Sequence, residues 1–144
     1  MNKKKNVRYS LKGFELLDVM IVYPENPLPQ NSKFKFTVNL EHRTNLEKKL
    51  VFVITTITII YEEKSSKLGS IKTSCIFNID NIEEFTSVKK EKLIDFPDAF
   101  INSLNSISIS TTRGVMYSKF SGTFLQSAIL PLINLPHLEE NRKK

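Results

Sequence analysis

The residues that could do chemistry in this 144-residue chain are few and lie far apart in the sequence. His42 lies at the end of a predicted strand and His137 lies in a charged tail, and neither has a second ligand at metal-binding spacing. Cys75 lies within an apolar strand, where a nucleophile would be poorly exposed, and the chain has no second cysteine for a disulfide. We therefore predict no metal site, no cofactor, a buried thiol and two ordinary surface histidines.

The carboxylates do not suggest catalysis either. Glu62-Glu63 and Glu83-Glu84 are neighbours in the sequence, whereas a general acid and a general base must face each other across a substrate. The chain contains four glycines, and they do not form a phosphate-binding loop. The sequence therefore predicts a protein that is not an enzyme.

The formal net charge of +6 is concentrated at the two ends of the chain. Residues 2–8 carry four positive charges and residues 138–144 carry a net one, which leaves one for residues 9–137. We predict a disordered basic tail over residues 1–8, a single domain over residues 9–137 and a charged C-terminal tail. Such tails are usually solvated, and the alternative is an arm that binds nucleic acid or anionic lipid.

The second predicted strand, residues 33–40, argues against a nucleic-acid surface. Its apolar residues alternate strictly with polar ones, so that one face is buried and the other is wet. Lys33 and Lys35 lie on the wet face and the phenylalanines on the other, whereas stacking platforms need basic and aromatic groups on one surface. We expect no nucleic-acid partner.

The sequence contains no candidate membrane span. The apolar run from Val51 to Ile60 is far shorter than the roughly 20 residues that a spanning helix needs. Lys12, Glu15 and Asp18 interrupt the apolar residues that follow the lysine-rich start, so no secretory signal is predicted. We expect a cytoplasmic protein.

Four predicted strands follow one another without an intervening helix, at residues 14–23, 33–40, 50–61 and 68–79. This order predicts an antiparallel meander. The first strand changes phase near Leu17-Asp18, which indicates a β-bulge, and the third is apolar on both faces, which is typical of a central strand. The proline-rich stretch after the first strand is predicted to be a stiff loop. The simplest interpretation is a connector, and the alternative is that its stiffness helps to shape a surface.

Phe96-Pro97 marks the start of a long helix. Proline disfavours helical geometry in the residue before it and suits the first helical position, and Asp98 then complements the helix dipole. The residues that recur at threes and fours are Phe100, Ile101, Leu104, Ile107, Thr111 and Val115. They predict one buried stripe, and because several are β-branched, packing on the sheet must hold the helix.

A surplus of large apolar residues remains once one helix covers one face of the sheet. It comprises Phe85, Phe96, Phe120, Phe124, Leu125, Ile129, Leu130, Leu132, Ile133 and Leu135. These residues either close the core and a subunit interface, or in part line a groove for apolar segments of another chain. The residues alone leave both open, and a purely structural oligomeric module is a further alternative.

In layout and in two local motifs the chain resembles the bacterial secretion chaperone SecB and its relatives. Phe96-Pro97 stands where that family begins its long helix, and Gly122-Thr-Phe-Leu-Gln126, followed by Pro131 and Asn134, is similar to the family's Gly-Thr-Phe segment. The resemblance covers about residues 9–135. It implies an α+β fold, a four-stranded antiparallel meander sheet with a long helix packed on it, in a homotetramer built as a dimer of dimers. The implied activity is that of an ATP-independent holdase for unfolded or pre-export polypeptides.

The resemblance also implies apolar grooves for unfolded chains. As a hypothesis drawn from the apolar surplus, the predicted client-binding groove comprises Phe85, Phe96, Phe120, Phe124, Leu125, Ile129 and Leu132. The predicted oligomer interface comprises Phe100, Leu104, Ile107 and Thr111. The family's export chaperones dock on the translocase motor SecA through an acidic sheet surface, whereas the second strand here exposes Lys33 and Lys35. A toxin–antitoxin-associated relative is thus as compatible with the sequence as an export chaperone, and SecA is a partner only of the latter.

Overall fold

The computed structural model describes residues 6–87 and 93–133, and its elements confirm the predicted α+β class. In chain order the elements are β1 (Tyr9–Ile21), β2 (Phe34–Asn45), β3 (Leu50–Tyr61), β4 (Ser66–Ile79), a 3-10 turn (Ile82–Phe85), β5 (Thr86–Ser87), β6 (Leu93–Ile94) and α1 (Asp98–Phe120). Strands β1 to β4 form one antiparallel sheet on which α1 packs, and β5 and β6 form a separate two-stranded ladder.

The order of the strands across the sheet is β1-β4-β3-β2. Strands β2, β3 and β4 are consecutive antiparallel neighbours, as predicted for a meander, and β3 is central as its two-sided apolar pattern indicated. Strand β1 pairs with β4, at the edge opposite to β2. The proline-rich residues 22–33 therefore carry the chain across the whole sheet, a distance of about 14 Å at ordinary strand spacing.

The core lies between α1 and one face of β3 and β4. Val53, Ile57, Ile71 and Phe77 have no exposed surface on this face. The alternate residues of β3 from Phe52 to Ile60 point to the other face and are half-buried, whereas Leu50 at the start of the strand is buried. Because each fully buried large apolar side chain contributes about 1.5–3 kcal/mol, this one face holds the helix on the sheet.

Strand β1 is less regular than its neighbours. Its register with β4 shifts between Leu11 and Gly13 and again between Leu16 and Asp18. The second shift confirms the predicted bulge. Each bulge resets the side-chain alternation, so that apolar residues of β1 lie on the helix side of the sheet along the whole strand.

Helix α1 begins after Phe96-Pro97, as predicted. The Pro97 carbonyl accepts a hydrogen bond from the Phe100 amide (3.0 Å) at the first turn. Gly114 lies within the helix, which ends at Phe120. Two residues later Gly122 has a φ of +80°, a conformation that suits glycine, and it reverses the chain.

The buried face of α1 is rotated away from the predicted apolar stripe. Ile101, Ile107, Thr111 and Val115 are half-buried on a flank of the helix, so the predicted stripe is correct for only two of its members. The fully buried residues are Phe100, Leu104, Asn105, Ser108, Ile109, Thr112, Met116 and Phe120.

Polar pairs explain this rotation. Thr112 Oγ1 lies 2.7 Å from Thr73 Oγ1 on β4, and Asn105 Oδ1 lies 2.6 Å from His42 Nε2 on β2. His42 is therefore half-buried against the helix, and the prediction of a surface histidine is wrong. A hydropathy pattern cannot locate such a face, because its polar groups are satisfied by partners distant in the sequence.

Residues 6–8 are tied to the folded domain, although we predicted a disordered tail over residues 1–8. The Arg8 amide donates to Asn81 Oδ1 (2.8 Å), and Asn81 Nδ2 donates to the Asn6 carbonyl (2.8 Å). The rest of that tail, the predicted charged tail over residues 138–144, and Asn134, Leu135 and His137 lie outside the described residues.

Candidate functional site

An open groove lies where the proline-rich β1–β2 loop meets the chain that follows α1. We name it the proline-loop groove; its apolar walls are Pro24, Pro27, Leu28, Pro29, Phe34 and Phe124. Its volume of about 780 Å³ lies within the usual range of ligand sites, about 300–1,000 Å³. Glu25 contributes the charged group of the lining.

One wall of the groove is stiff because of its sequence. Proline fixes its own backbone φ, and three prolines fall within six residues of the loop. The loop is anchored at its end by a hydrogen bond from the Glu62 amide to the Lys33 carbonyl (3.1 Å). A surface built in this way loses little conformational entropy when a ligand binds.

The opposite wall is placed by the turn that follows α1. Thr123 Oγ1 donates to the Phe120 carbonyl (2.6 Å) and accepts from the Leu125 amide (3.1 Å), and the Gly122 amide donates to Gln126 Oε1 (2.8 Å). These bonds fix the backbone on both sides of Phe124, and they are what the Gly-Thr-Phe-Leu-Gln sequence provides.

Two aromatic rings meet at the rim of the groove. The rings of Tyr23 and Phe124 are tilted against each other with centroids 5.4 Å apart. Tyr23 is 71% exposed, which leaves an apolar ring available to a ligand.

After the turn the chain runs back along α1 as a segment outside any helix or strand, residues 128–133, which we name the strap. Ala128 and Leu130 are buried and Ile129 between them is 56% exposed, whereas Leu132 is 92% exposed and ends this alternation. Arg113 of α1 holds its backbone, with Nε donating to the Leu130 carbonyl (2.9 Å) and Nη2 to the Pro131 carbonyl (3.1 Å).

The strap lies on the side of α1 that faces β2. The side chain of Asn105 reaches His42 on β2, and Ile109 and Arg113 follow at four-residue intervals on the same side of the helix. Ser106, Ile109, Ser110 and Arg113 line a small cavity together with Leu132 and Ile133. The strap thus continues from the proline-loop groove towards the middle of α1.

An aromatic cluster lies at the opposite end of α1. The ring of Phe96 lies 5.5 Å from that of Phe85 and 4.9 Å from that of Phe100, and Tyr9 joins Phe100 to Phe77 at 5.0 and 6.3 Å. A helix of 23 residues is about 34 Å long, so the cluster is separated from the proline-loop groove by about that length.

The seven predicted groove residues therefore lie in different environments and do not line one groove within the chain. Those in the interior or in the aromatic cluster are Phe85, Phe96, Phe120 and Leu125. Those with surface at the proline-loop groove or on the strap are Phe124, Ile129 and Leu132.

The four predicted interface residues also lie in two different environments. Phe100 and Leu104 are 7% and 0% exposed and pack in the core of this chain. Ile107 and Thr111 are half-buried on the flank of α1 that faces away from β2. On the same side of the helix, Leu11 and Leu16 on the helix-facing side of β1 are 52% and 37% exposed. We name Leu11, Leu16, Ile107 and Thr111 the β1 surface.

Of the residues that shape the groove, the sequence predicts Phe124. For the loop prolines it favours a connector over a shaped surface, it places Tyr23 and Phe34 in strands, and it gives no signal for Arg113. The available signal was three closely spaced prolines beside an aromatic residue, a combination that builds a stiff apolar surface as readily as a linker.

The lining of the proline-loop groove consists of apolar and uncharged polar residues apart from Glu25. Among the described residues no three His, Cys, Asp or Glu side chains come together to hold a metal ion. Burial raises the pKa of Cys75 above its ordinary value, partly opposed by hydrogen bonds with Ser108 and Thr111, so the thiol stays neutral at pH 7. Within residues 6–87 and 93–133, no helix is long and apolar enough to cross a membrane.

The arrangement of one long helix on a four-stranded antiparallel sheet is shared with a solved SecB-like chaperone. The solved structure of the Mycobacterium tuberculosis SecB-like chaperone Rv1957, in complex with a ChAD peptide from the Rv1956 HigA1 antitoxin, matches it with a TM-score of 0.62. The match covers 88% of this chain and 91% of that chain at 9% sequence identity, and it shows a common fold. No protein-family model matches the sequence, and no curated protein matches it either.

Proposed function

We propose that this protein is a chaperone that holds extended apolar segments of other polypeptides without ATP. The observation that carries the proposal is the proline-loop groove. It is open, has apolar walls and a volume of about 780 Å³, and the exposed Tyr23 lies at its rim. The shared fold with a SecB-like chaperone whose structure contains a peptide supports it. Binding of this kind needs no catalytic group.

The expected strength of one contact is modest. A large apolar side chain contributes about 1.5–3 kcal/mol when it is fully buried, and ordering of the bound chain offsets much of this gain. Several grooves on one homo-oligomer would raise the overall affinity by effective concentration. We therefore include in the proposal a homotetramer, built as a dimer of dimers, with the β1 surface as one contact between copies.

The test is suppression of aggregation. A chemically unfolded client is diluted into buffer with near-stoichiometric protein and no ATP, and light scattering is recorded. The wild-type protein should suppress scattering, and Tyr23→Ser and Phe124→Ser should suppress it less, because Phe124 lines the groove and the Tyr23 ring packs on Phe124. Tyr117→Ser is the matched control, since Tyr117 is 53% exposed on α1 and neither lines the groove nor forms the ring contact with Phe124.

A folded wild-type protein that leaves scattering unchanged would remove the holdase proposal while leaving the shared fold intact. Such a result would favour a structural oligomeric module. Salt-dependent binding to nucleic acid or anionic vesicles, lost on deletion of residues 1–8, would favour the basic-tail alternative.

A second candidate is a chaperone dedicated to one partner, such as an antitoxin. Its support is that the structure of Rv1957 contains a peptide from an antitoxin. Affinities for a panel of unrelated apolar peptides distinguish the two. Similar affinities across the panel indicate a general holdase, and a preference of more than about a hundredfold for one sequence indicates a dedicated one.

Coupling to protein export is the least supported part of the proposal. The outer face of β2 carries Lys35 and Arg43 beside Glu41, so it offers no acidic surface for SecA. Measured binding to SecA would establish the export role and a cytoplasmic location.

A further inference from the structure

The strap is bound to α1 in the way that an extended peptide is bound by a groove. Ala128 and Leu130 are 4% and 3% exposed, while their neighbour Ile129 is 56% exposed. Over residues 128–131 this is the period-two alternation of a chain with one side against a surface, and Leu132, which is 92% exposed, lies beyond it. The segment also begins beside the groove wall formed by Phe124 and Ser127.

Arg113 holds the strap through backbone carbonyls, so this contact does not depend on the side chains of the strap. Arg113 donates to two successive carbonyls, those of Leu130 and Pro131. A guanidinium presents a rigid fork of donors, and any polypeptide offers carbonyls at this spacing. The apolar contacts and the carbonyl contacts are therefore both ones that another extended chain could make.

We propose that the strap is an internal occupant of the client-binding site, lying on the β2 side of α1 where an extended apolar polypeptide takes its place. The site then comprises the proline-loop groove and, in continuation, the surface of α1 beneath residues 128–133. This inference rests on the proposed function and adds its regulation. A client must displace the strap, so the observed affinity equals the intrinsic affinity multiplied by the fraction of molecules whose strap is released.

The strap can be loosened without altering the surface beneath it. Leu130→Ser removes the main buried side chain of the strap and keeps Arg113 and the groove walls. Fluorescence anisotropy of labelled, reduced and carboxymethylated α-lactalbumin, which stays unfolded in buffer, reports binding. We expect about tenfold tighter binding, because a larger fraction of the molecules has a released strap.

The control for general loosening is Leu50→Ser. Leu50 is a buried leucine at the start of β3, outside the strap. This variant should lose stability without gaining affinity. A gain equal to that of Leu130→Ser would attribute the effect to overall destabilisation and would overturn the inference.

The strap can also be fixed in place. Ser110 and Leu132 line the same small cavity and are both exposed, so Ser110→Cys and Leu132→Cys can be joined by a short bis-maleimide. Cys75 is buried and should react slowly. The cross-linked protein should bind α-lactalbumin at least about tenfold more weakly than the same double variant before cross-linking.

The outcomes separate this inference from the proposed function. If the wild-type protein binds and neither loosening nor cross-linking changes the affinity, the strap is simply part of the core and this inference alone fails. If no form binds, including Leu130→Ser, both fail. Binding by Leu130→Ser that exceeds that of the wild-type protein supports the strap as an occupant.

Discussion

The two flanks of α1 differ in what lies against them. On the β2 side, the strap covers the helix and Arg113 binds its backbone. On the other side, Ile107 and Thr111 are half-buried, and Leu11 and Leu16 on the helix-facing side of β1 are 52% and 37% exposed. The chain itself covers one flank of α1, and apolar surface remains exposed beside the other. In our proposal the first flank serves client binding and the second serves assembly.

The largest expected effect comes from Leu125, in the turn between α1 and the strap. Leu125 is 1% exposed, and Leu125→Ala should lower the free energy of unfolding by about 2–5 kcal/mol, through lost burial and the cavity left behind. Leu132→Ala, at a leucine that is 92% exposed, should change it by less than about 0.5 kcal/mol. Urea unfolding followed by circular dichroism measures both, and equal costs would contradict the assignment of Leu125 to the core.

The next effect tests how closely the turn after α1 approaches the sheet. A Cβ at Gly69 would lie 2.7 Å from Leu125 Cδ1 and 2.9 Å from the Met20 carbonyl oxygen, so Gly69→Ala should cost about 1–3 kcal/mol. Gly114 lies within α1, where an added Cβ meets nothing within 4 Å. Gly114→Ala should therefore stabilise the protein by about 0.5–1 kcal/mol. Thermal unfolding gives opposite signs for the two variants, and a shared sign would refute the close approach at Gly69.

A charge within the β1 surface should affect the assembly of subunits more than the folding of each subunit. Ile107→Glu places a carboxylate within the β1 surface and should shift the protein to a smaller oligomer at the same concentration, at a cost in monomer stability of about 1–2 kcal/mol. Ser110→Glu, on the strap side of the same helix, should leave the mass unchanged. Size-exclusion chromatography with light scattering measures the masses, and an unaltered mass for Ile107→Glu would exclude the β1 surface from the interface.

The smallest effect concerns Cys75 beneath α1. Its raised pKa means that the unfolded chain releases the thiol proton at a lower pH than the folded chain. The contribution of Cys75 to stability should therefore be complete below the ordinary thiol pKa of 9.0 and decline as the pH rises above it. The difference in unfolding free energy between the wild-type protein and Cys75→Ala should shrink between pH 8 and pH 10, and a difference that grows would reverse the assigned shift.

The sequence was informative where a pattern repeats locally. Strict alternation over residues 33–40, the two-sided apolar run over residues 50–61 and the Phe96-Pro97 boundary gave the strands and the start of the helix. The sequence was less informative where a residue contacts residues that are distant in the chain. The buried face of α1 depends on Asn105 reaching His42 and on Thr112 reaching Thr73, pairs that no local periodicity reveals.

The candidate site was predicted only in part for the same reason. Phe124, Ile129 and Leu132 are large and apolar, and they have accessible surface at the groove or the strap. Phe120 and Leu125 are equally large and apolar, but the close packing at Gly69 buries them. Composition cannot separate these cases, because burial is decided by how the chain turns after α1.

The pairing of β1 with β4 has a consequence for the order of events during synthesis. Ile21 pairs with Gly69 and Tyr9 with Ile79, so the residues of β1 have no partner on β4 until 48 to 70 further residues have been made. Strands β2, β3 and β4 can form hairpins as they emerge, whereas β1 must wait, and its contacts are among the most distant in the sequence. We expect β1 to be the last strand to join the sheet, and a newly made chain to expose Leu11, Phe14 and Leu16 while it waits. A protein that we propose to bind unfolded chains would thus itself expose apolar residues, of the kind that a chaperone binds, while it is being made.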